Sequence, residues 1–123
     1  MPHDALAAAP TVRGRRPDVI LGDRFGAACA RTIMETAAEA FRAAGFAVAR
    51  NAPFAGAYIL QRHGRPEQGL HAIQIEIDRA LYLDEKRIAP GPRFEGFCRV
   101  MAGIVADIAA LGGRAGESRL AAE

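Results

Sequence analysis

Asp18-Val19-Ile20-Leu21-Gly22, the periodic stretch from Ala28 to Ala44, and Phe46-Ala47-Val48-Ala49 beyond Gly45 decide the fold of this chain. The first run is short, continuous and apolar, as in strands buried on both faces beneath helices. Between 28 and 44 the apolar residues recur with a helical period. Ile33, Ala37, Phe41 and Ala44 share one face, with Arg31, Glu35, Glu39 and Arg42 on the other. Gly45 is placed to end that helix in the left-handed conformation. Strand, helix and strand with short joins form a βαβ unit, whose two strands should run parallel with a right-handed crossover.

Upstream, residues 1–17 hold three prolines and the cluster Arg13-Gly14-Arg15-Arg16, and are expected to form an irregular lead-in. Downstream, residues 51–69 are rich in Pro and Gly and read as loop, with Tyr58-Ile59-Leu60 briefly extended. His71-Ala72-Ile73-Gln74-Ile75-Glu76-Ile77 alternates cleanly as a strand, with Ile73, Ile75 and Ile77 on one side and Gln74 and Glu76 on the other. A second long helix is expected from beyond Pro92 to about Leu111. Phe97, Met101, Ile104, Ile108 and Leu111 are its stripe, and Gly112-Gly113 its end. Residues 113–123 read as a disordered tail. An α/β sheet this small leaves open edges, which points to further strands in a larger whole.

The chain is 123 residues long, enough for one domain. Its apolar content leans on 27 alanines, so the core is modest. Sixteen basic against fourteen acidic side chains give +2, which argues against a dedicated nucleic-acid binder. No apolar stretch is long enough for a membrane span, and the first residues do not form a secretory signal. Cys29 and Cys98 lie in helical patterns without metal-ligand spacing, as expected of buried thiols in a reducing compartment. The expected location is the cytoplasm.

Glu76 is the leading candidate for chemistry. It sits near the carboxyl end of an apolar strand, where open α/β sheets gather ligands. Partial desolvation there is the usual route to a carboxylate general base. The alternative is a structural ion pair with an arginine. Arg24, within Gly22-Asp23-Arg24-Phe25-Gly26, could clamp a substrate carboxylate, or could pair with Asp23 to pin the turn. Tyr58, Arg62, His63 and Arg65 fall in a loop between glycines that could line a site, although a lone loop histidine is more often solvated. The three histidines have no zinc-binding spacing, so no metal site is expected from them.

Taken together and in order, several of these segments resemble the C-terminal half of the N-formylglutamate amidohydrolase family. They are Gly22-Asp23-Arg24-Phe25-Gly26, Asn51-Ala52-Pro53-Phe54-Ala55-Gly56-Ala57-Tyr58, Arg62-His63-Gly64-Arg65-Pro66, His71 to Arg79, and Leu81-Tyr82-Leu83-Asp84-Glu85. The resemblance runs from about Pro17 to Leu111. It implies a zinc-carboxypeptidase-like (phosphorylase/hydrolase-like) α/β fold with residues 18–112 as its C-terminal part and its N-terminal half absent. It also implies hydrolysis of an N-formyl or related N-acyl amino acid in histidine breakdown. Zinc is the implied cofactor, and Glu76 matches the proton-carrying glutamate. Arg24, Tyr58, Arg62 and His63 become candidates for substrate binding. The family's zinc ligands and an Asn-Arg substrate clamp lie in the N-terminal half. A His-Ser pair precedes the segment resembling Met1-Pro2, so this chain is expected to hold no ligand set. Gln61-Arg62-His63 also departs from relatives that place an aromatic beside the glycine. Three expectations follow: a portion inactive alone, a split enzyme whose partner chain supplies the missing half, or a non-catalytic interaction module.

Overall fold

A computed structural model of the chain describes residues 1–120, and the side chains of residues 1–112. Strand β1 (Val19–Gly22) lies at the centre of a three-stranded sheet, between β2 (Val48–Arg50) and β3 (Gln74–Ile77). Helix α1 (Arg31–Ala43) links β1 to β2, and these strands pair in parallel with Val19 opposite Val48. The βαβ reading of residues 18–49 therefore holds, with the second strand observed at Val48–Arg50. All four residues of β1 are buried, as an apolar run covered on both faces must be.

β3 runs antiparallel to β1, with Val19 opposite Ile77, Ile20 opposite Glu76 and Gly22 opposite Gln74. Side-chain alternation then divides the sheet cleanly. Val19 and Leu21 join Met34, Ala37, Phe41 and Ile104 in one buried cluster, against which Ile75 and Ile77 pack. Ile20, Gly22, Gln74 and Glu76 belong to the opposite face. α1 and α3 (Phe94–Leu120) pack on each other and contribute Met34, Phe41 and Ile104 to the cluster.

Several elements differ from the expectations. β3 begins at Gln74 because the preceding residues bond elsewhere: His71 Nδ1 accepts the Ala30 N–H, and Ala72 donates to the Ala28 carbonyl. Those bonds take residues 71–72 out of the β1 ladder. Tyr58–His63 forms a helical turn, α2, where a loop with a brief extended stretch was expected. So short a helix is marginal by itself. Leu60, buried beside Gly56, anchors it.

α1 starts at Arg31, which leaves Cys29 buried in the preceding loop. Cys98 is exposed, one position off the stripe of Phe97, Met101, Ile104 and Ile108 on α3. The expectation of two buried thiols within helices therefore fails for both in part. α3 passes through Gly112-Gly113, since Gly112 does not take the left-handed conformation a helix end requires. Glycine costs an α-helix interior about 1 kcal/mol but does not forbid it. Within the expected tail, residues 121–123 lie outside the described residues.

The lead-in is anchored. A 3₁₀ helix spans His3–Ala8, and its Leu6 is fully buried. Between β3 and α3 a small antiparallel hairpin pairs β4 (Leu83–Asp84) with β5 (Ala89–Pro90). Tyr82 stacks on Phe97 of α3 with ring centres 4.9 Å apart, and Phe97 meets Phe46 edge-on. No helix among the described residues is long and apolar enough to cross a membrane.

Candidate functional site

The carboxyl end of β1 turns sharply. Arg24, Phe25 and Gly26 all have positive φ, and so does Asn51 just beyond β2. Two consecutive non-glycine residues in the left-handed region cost energy that the surroundings must offset. Asn51 supplies much of that support. Its Oδ1 accepts the backbone N–H groups of Asp23 (3.0 Å) and Phe25 (3.3 Å), and its Nδ2 donates to Asp23 Oδ1 (2.9 Å). Gly26 N–H donates to the same Asp23 oxygen. Asp23 is 2 % exposed, so this turn is pinned from within. The expected alternative of an Asp23–Arg24 pair is replaced by Asp23–Asn51, which leaves the Arg24 side chain uncommitted to the turn.

Phe54 and Ala55 pass directly over Gly22. A Cβ on Gly22 would stand 2.7 Å from the Ala55 carbonyl carbon, and Arg24 N–H donates to the Ala55 oxygen at 2.8 Å. This close approach requires glycine at position 22. It brings the segment from Asn51 to α2 against the β1 turn. At the other end of α2, Gly64 sits against Ala28. Tyr58 and Arg62, four residues apart, share one face of the α2 turn, and both are exposed. His63, also exposed, ends the same turn.

Glu76 lies across β1 from this turn, on the polar face of β3. Gln74 Nε2 donates to Glu76 Oε1 at 2.9 Å, and the Met1 ammonium stands 3.9 Å from Oε2. The Glu76 side chain is 31 % exposed, so its contacts leave it accessible. Because β3 is antiparallel, its carboxyl end lies at the amino end of β1. Glu76, near the carboxyl end of its own strand as expected, therefore does not stand at the carboxyl end of β1, where Arg24 turns. What joins them is the polar face: Gly22 faces Gln74, and Gln74 holds Glu76. Among the described residues, no hydrogen bond or ion pair links Arg24, Tyr58, Arg62 or His63 to Glu76. Sequence reasoning passed over Gln74, although its i, i+2 spacing from Glu76 on one strand face was a usable signal.

A second polar cluster borders the foot of β3. His3 Nδ1 lies 2.6 Å from Asp78 Oδ2, while Asp78 Oδ1 accepts the Ala80 N–H. Glu85 accepts from Arg79 Nε at 2.6 Å and from the His3 backbone at 3.1 Å. The Arg79 bond first, and the His3 bond second, hold the Glu85 carboxyl below its usual range. This cluster ties the lead-in to the segment after β3.

The histidines do not assemble a zinc ligand set. His3 and His71 each commit Nδ1, to Asp78 and to the Ala30 N–H, and His63 stands apart on α2. Among the described residues no three His, Cys, Asp or Glu side chains are grouped as a metal ion requires. The residues present therefore do not fit the zinc that the resemblance implies.

Comparisons with known proteins agree with this arrangement of segments. The family model described as N-formylglutamate amidohydrolase matches residues 1–83. N-formylglutamate deformylase from Pseudomonas aeruginosa is 36% identical over 74 residues, covering 59% of this chain and 28% of that protein. The Pseudomonas putida deformylase is 33% identical over 76 residues, 58% of this chain and 27% of that one. Among solved structures, N-formylglutamate amidohydrolase from Ralstonia eutropha JMP134 superposes with a TM-score of 0.70 at 30% identity, over 96% of this chain and 40% of that one. This chain thus spans less than a third of the length of these curated relatives. With more than half its residues matched by the family model, the chain belongs to the N-formylglutamate amidohydrolase family.

Proposed function

We propose that this chain carries the carboxyl-terminal part of an amidohydrolase that cleaves N-formyl-L-glutamate, or a related N-acyl amino acid, with Glu76 as the proton carrier. The larger fold it belongs to is zinc-carboxypeptidase-like, its setting is cytoplasmic histidine breakdown, and the isolated chain is inactive. The observation that carries this reading is the state of Glu76. It is an accessible carboxylate with one oxygen held by Gln74, inside the segment matched by the family model.

In the reaction, water adds to the formyl carbon and gives a proton to the Glu76 carboxylate. Glu76 then passes that proton to the amide nitrogen as the C–N bond breaks, leaving formate and the free amino acid. Arg24 and Arg62 are the candidates to bind the substrate's carboxylates, since a guanidinium grips a carboxylate through two parallel bonds. Among the described residues neither is paired with an acidic side chain. Tyr58, on the α2 face it shares with Arg62, and His63 at the end of α2 offer hydrogen bonds. Among the described residues, the side chains do not fit a zinc ion.

A second reading, a subunit of a split enzyme, is favoured by the position of β3 at the edge of its sheet, where among the described residues no further strand pairs with it. The test is formate release from N-formyl-L-glutamate, with zinc added. One sample is the chain alone, and the other is the chain joined to the part of the P. aeruginosa deformylase that precedes the matched segment. The expected result is no turnover alone, turnover when joined, and a loss of about 10²–10⁴-fold on Glu76→Gln. Undiminished turnover in the joined Glu76→Gln variant would overturn the role of Glu76. Turnover by the chain alone would overturn its inactivity.

A further inference from the structure

His71 stands just ahead of β3, and its Nδ1 accepts the Ala30 backbone N–H at 3.0 Å. A ring nitrogen accepts a bond only when it carries no proton, so the neutral ring holds its one proton on Nε2. Any further proton must then enter at Nδ1, the atom that makes this bond. An imidazolium donates from both nitrogens, and two N–H groups that face each other make no hydrogen bond. Ala30 is the residue from which α1 begins, and its carbonyl accepts from Ile33 and Met34 in the first turn. The bond to His71 thus ties the start of α1 to the segment that enters β3. One residue on, Ala72 N–H donates to the Ala28 carbonyl at 2.9 Å, and Gly64, at the end of α2, packs against Ala28. Arg65 and Leu70 exchange backbone bonds of 2.7 and 3.1 Å, which closes the loop that leads from α2 to His71.

We propose that His71 is an acid-operated latch at the junction of α1, α2 and β3. With the ring neutral the latch is closed and Ala30 is held. When the ring takes a second proton, over the range of about pH 5–7 in which histidines serve as switches, the Ala30 bond opens. The Ala30 N–H then turns to water, and of the two backbone ties only Ala72 to Ala28 remains. The surroundings offer the imidazolium no anion in exchange. The ring borders a cavity of about 590 Å³, to which α1 presents Ile33, β3 presents Ile75, and α3 presents Ile108 and Leu111. His63 of α2 is the other titratable side chain on its wall, and among the described residues no carboxylate lines it. Cys29, beside Ala30, keeps its proton because burial raises its thiol to about 11. Arg31 on α1, and Arg65 and Glu67 in the loop after α2, are exposed, while Asp107 of α3 borders a different hollow with Thr36 and Glu39. α2 carries Tyr58, Arg62 and His63, so the latch sets how firmly those candidate substrate-binding residues are held. That consequence rests on the function proposed above; the latch itself rests on the bond between Ala30 and His71.

Amide hydrogen exchange at Ala30 in the 123-residue chain tests the latch without substrate or turnover. Its failure and the failure of the Glu76 chemistry are therefore separate results. Exchange is read at about pH 7.5 and about pH 5, each relative to the unstructured chain at the same pH, which removes the intrinsic dependence on hydroxide. The Ala30 amide is expected to lose at least about tenfold of its protection at the lower pH, with the amides of β1 unchanged. His71→Asn places an amide oxygen near the position of Nδ1, an acceptor that does not titrate, and should hold Ala30 equally at both pH values. His71→Phe removes the acceptor and should leave Ala30 poorly protected at both. His63→Asn should leave the acid response in place. Equal protection of Ala30 at the two pH values in the unaltered chain would overturn the latch. So would an acid response that persists in His71→Asn, or one that disappears in His63→Asn. Loss of protection along β1 together with Ala30 would mean that the whole chain opens in acid, which also rules out a local latch. Should His71→Phe fail to fold, the unaltered chain and His71→Asn decide the matter between them.

Discussion

Asn51 and Asp23 exchange hydrogen bonds in both directions: the Asp23 backbone N–H donates to Asn51 Oδ1, and Asn51 Nδ2 returns a bond to Asp23 Oδ1. The pair joins the ends of two parallel strands and buries a carboxylate where β1 turns. An aspartate so placed needs every acceptor used, because an unsatisfied buried polar group costs about 1–3 kcal/mol.

Asn51→Ala should therefore destabilise the chain by about 2–4 kcal/mol, combining the lost bonds with the cost of alanine at positive φ. Asn51→Gly should recover about 1 kcal/mol of that loss, since glycine takes the left-handed conformation freely while still lacking the side chain. Urea unfolding of the two variants checks both numbers. Equal stability of the alanine and glycine variants would show that the turn relaxes out of its left-handed geometry.

Gly22→Ala tests the close approach of Phe54 and Ala55. The added methyl would meet backbone atoms at 2.7–2.9 Å, and backbone cannot rotate aside as a side chain can. The expected outcome is a loss of about 1–3 kcal/mol, as for other overpacked sites. Chemical-shift changes should be concentrated in residues 53–57 and in the Gly22–Gln74 pair. A variant with wild-type stability and shifts would contradict the packing described.

These two residues also show what the sequence can disclose and what it cannot. The alternation of residues 73–77 announced which side chains of β3 meet the helices, and Ile75 and Ile77 do so. The same alternation could not reveal that β3 runs antiparallel, because strand direction depends on where the intervening chain travels. Glu76 was legible as a polar residue on an apolar strand. Its partner Gln74 needed only the same two-residue period. The bond between Asn51 and Asp23 joins residues 28 positions apart, and nothing local to either one signals it. α2 was hidden for another reason: its helicity depends on burying Leu60, a tertiary contact that outweighs flanking Pro and Gly.

The lead-in should respond to acid. Glu85 has its carboxyl held low by Arg79 first and by the His3 backbone second. A carboxylate held low in the folded chain contributes stability above its unfolded value, and that contribution is lost as pH falls through the folded one. Stability should therefore decline as pH drops below about 4, with the 3₁₀ segment around His3 loosening first. Glu85→Gln should remove this part of the acid dependence while leaving the rest. Exchange rates of residues 3–8 between pH 3 and pH 6 provide the measurement, and an unchanged profile in Glu85→Gln would refute the assignment.

The two thiols should behave oppositely. Burial, and secondarily the charge of Asp23, raises the Cys29 thiol to about 11. At pH 8 about one molecule in a thousand would then carry the thiolate, the only form that attacks an alkylating reagent. Cys98 is exposed on α3 and free of that shielding. Iodoacetamide at pH 8 should therefore label Cys98 and spare Cys29 until the chain unfolds, which peptide mass mapping reads directly. The same shift works against the folded state in alkali. A thiol raised on folding leaves stability intact below its unfolded value and withdraws it as pH climbs from about 9 toward 11. Cys29→Ala would lose packing but should flatten that alkaline decline, and rapid labelling of Cys29 in the folded chain would show that the loop before α1 opens far more readily than its burial implies.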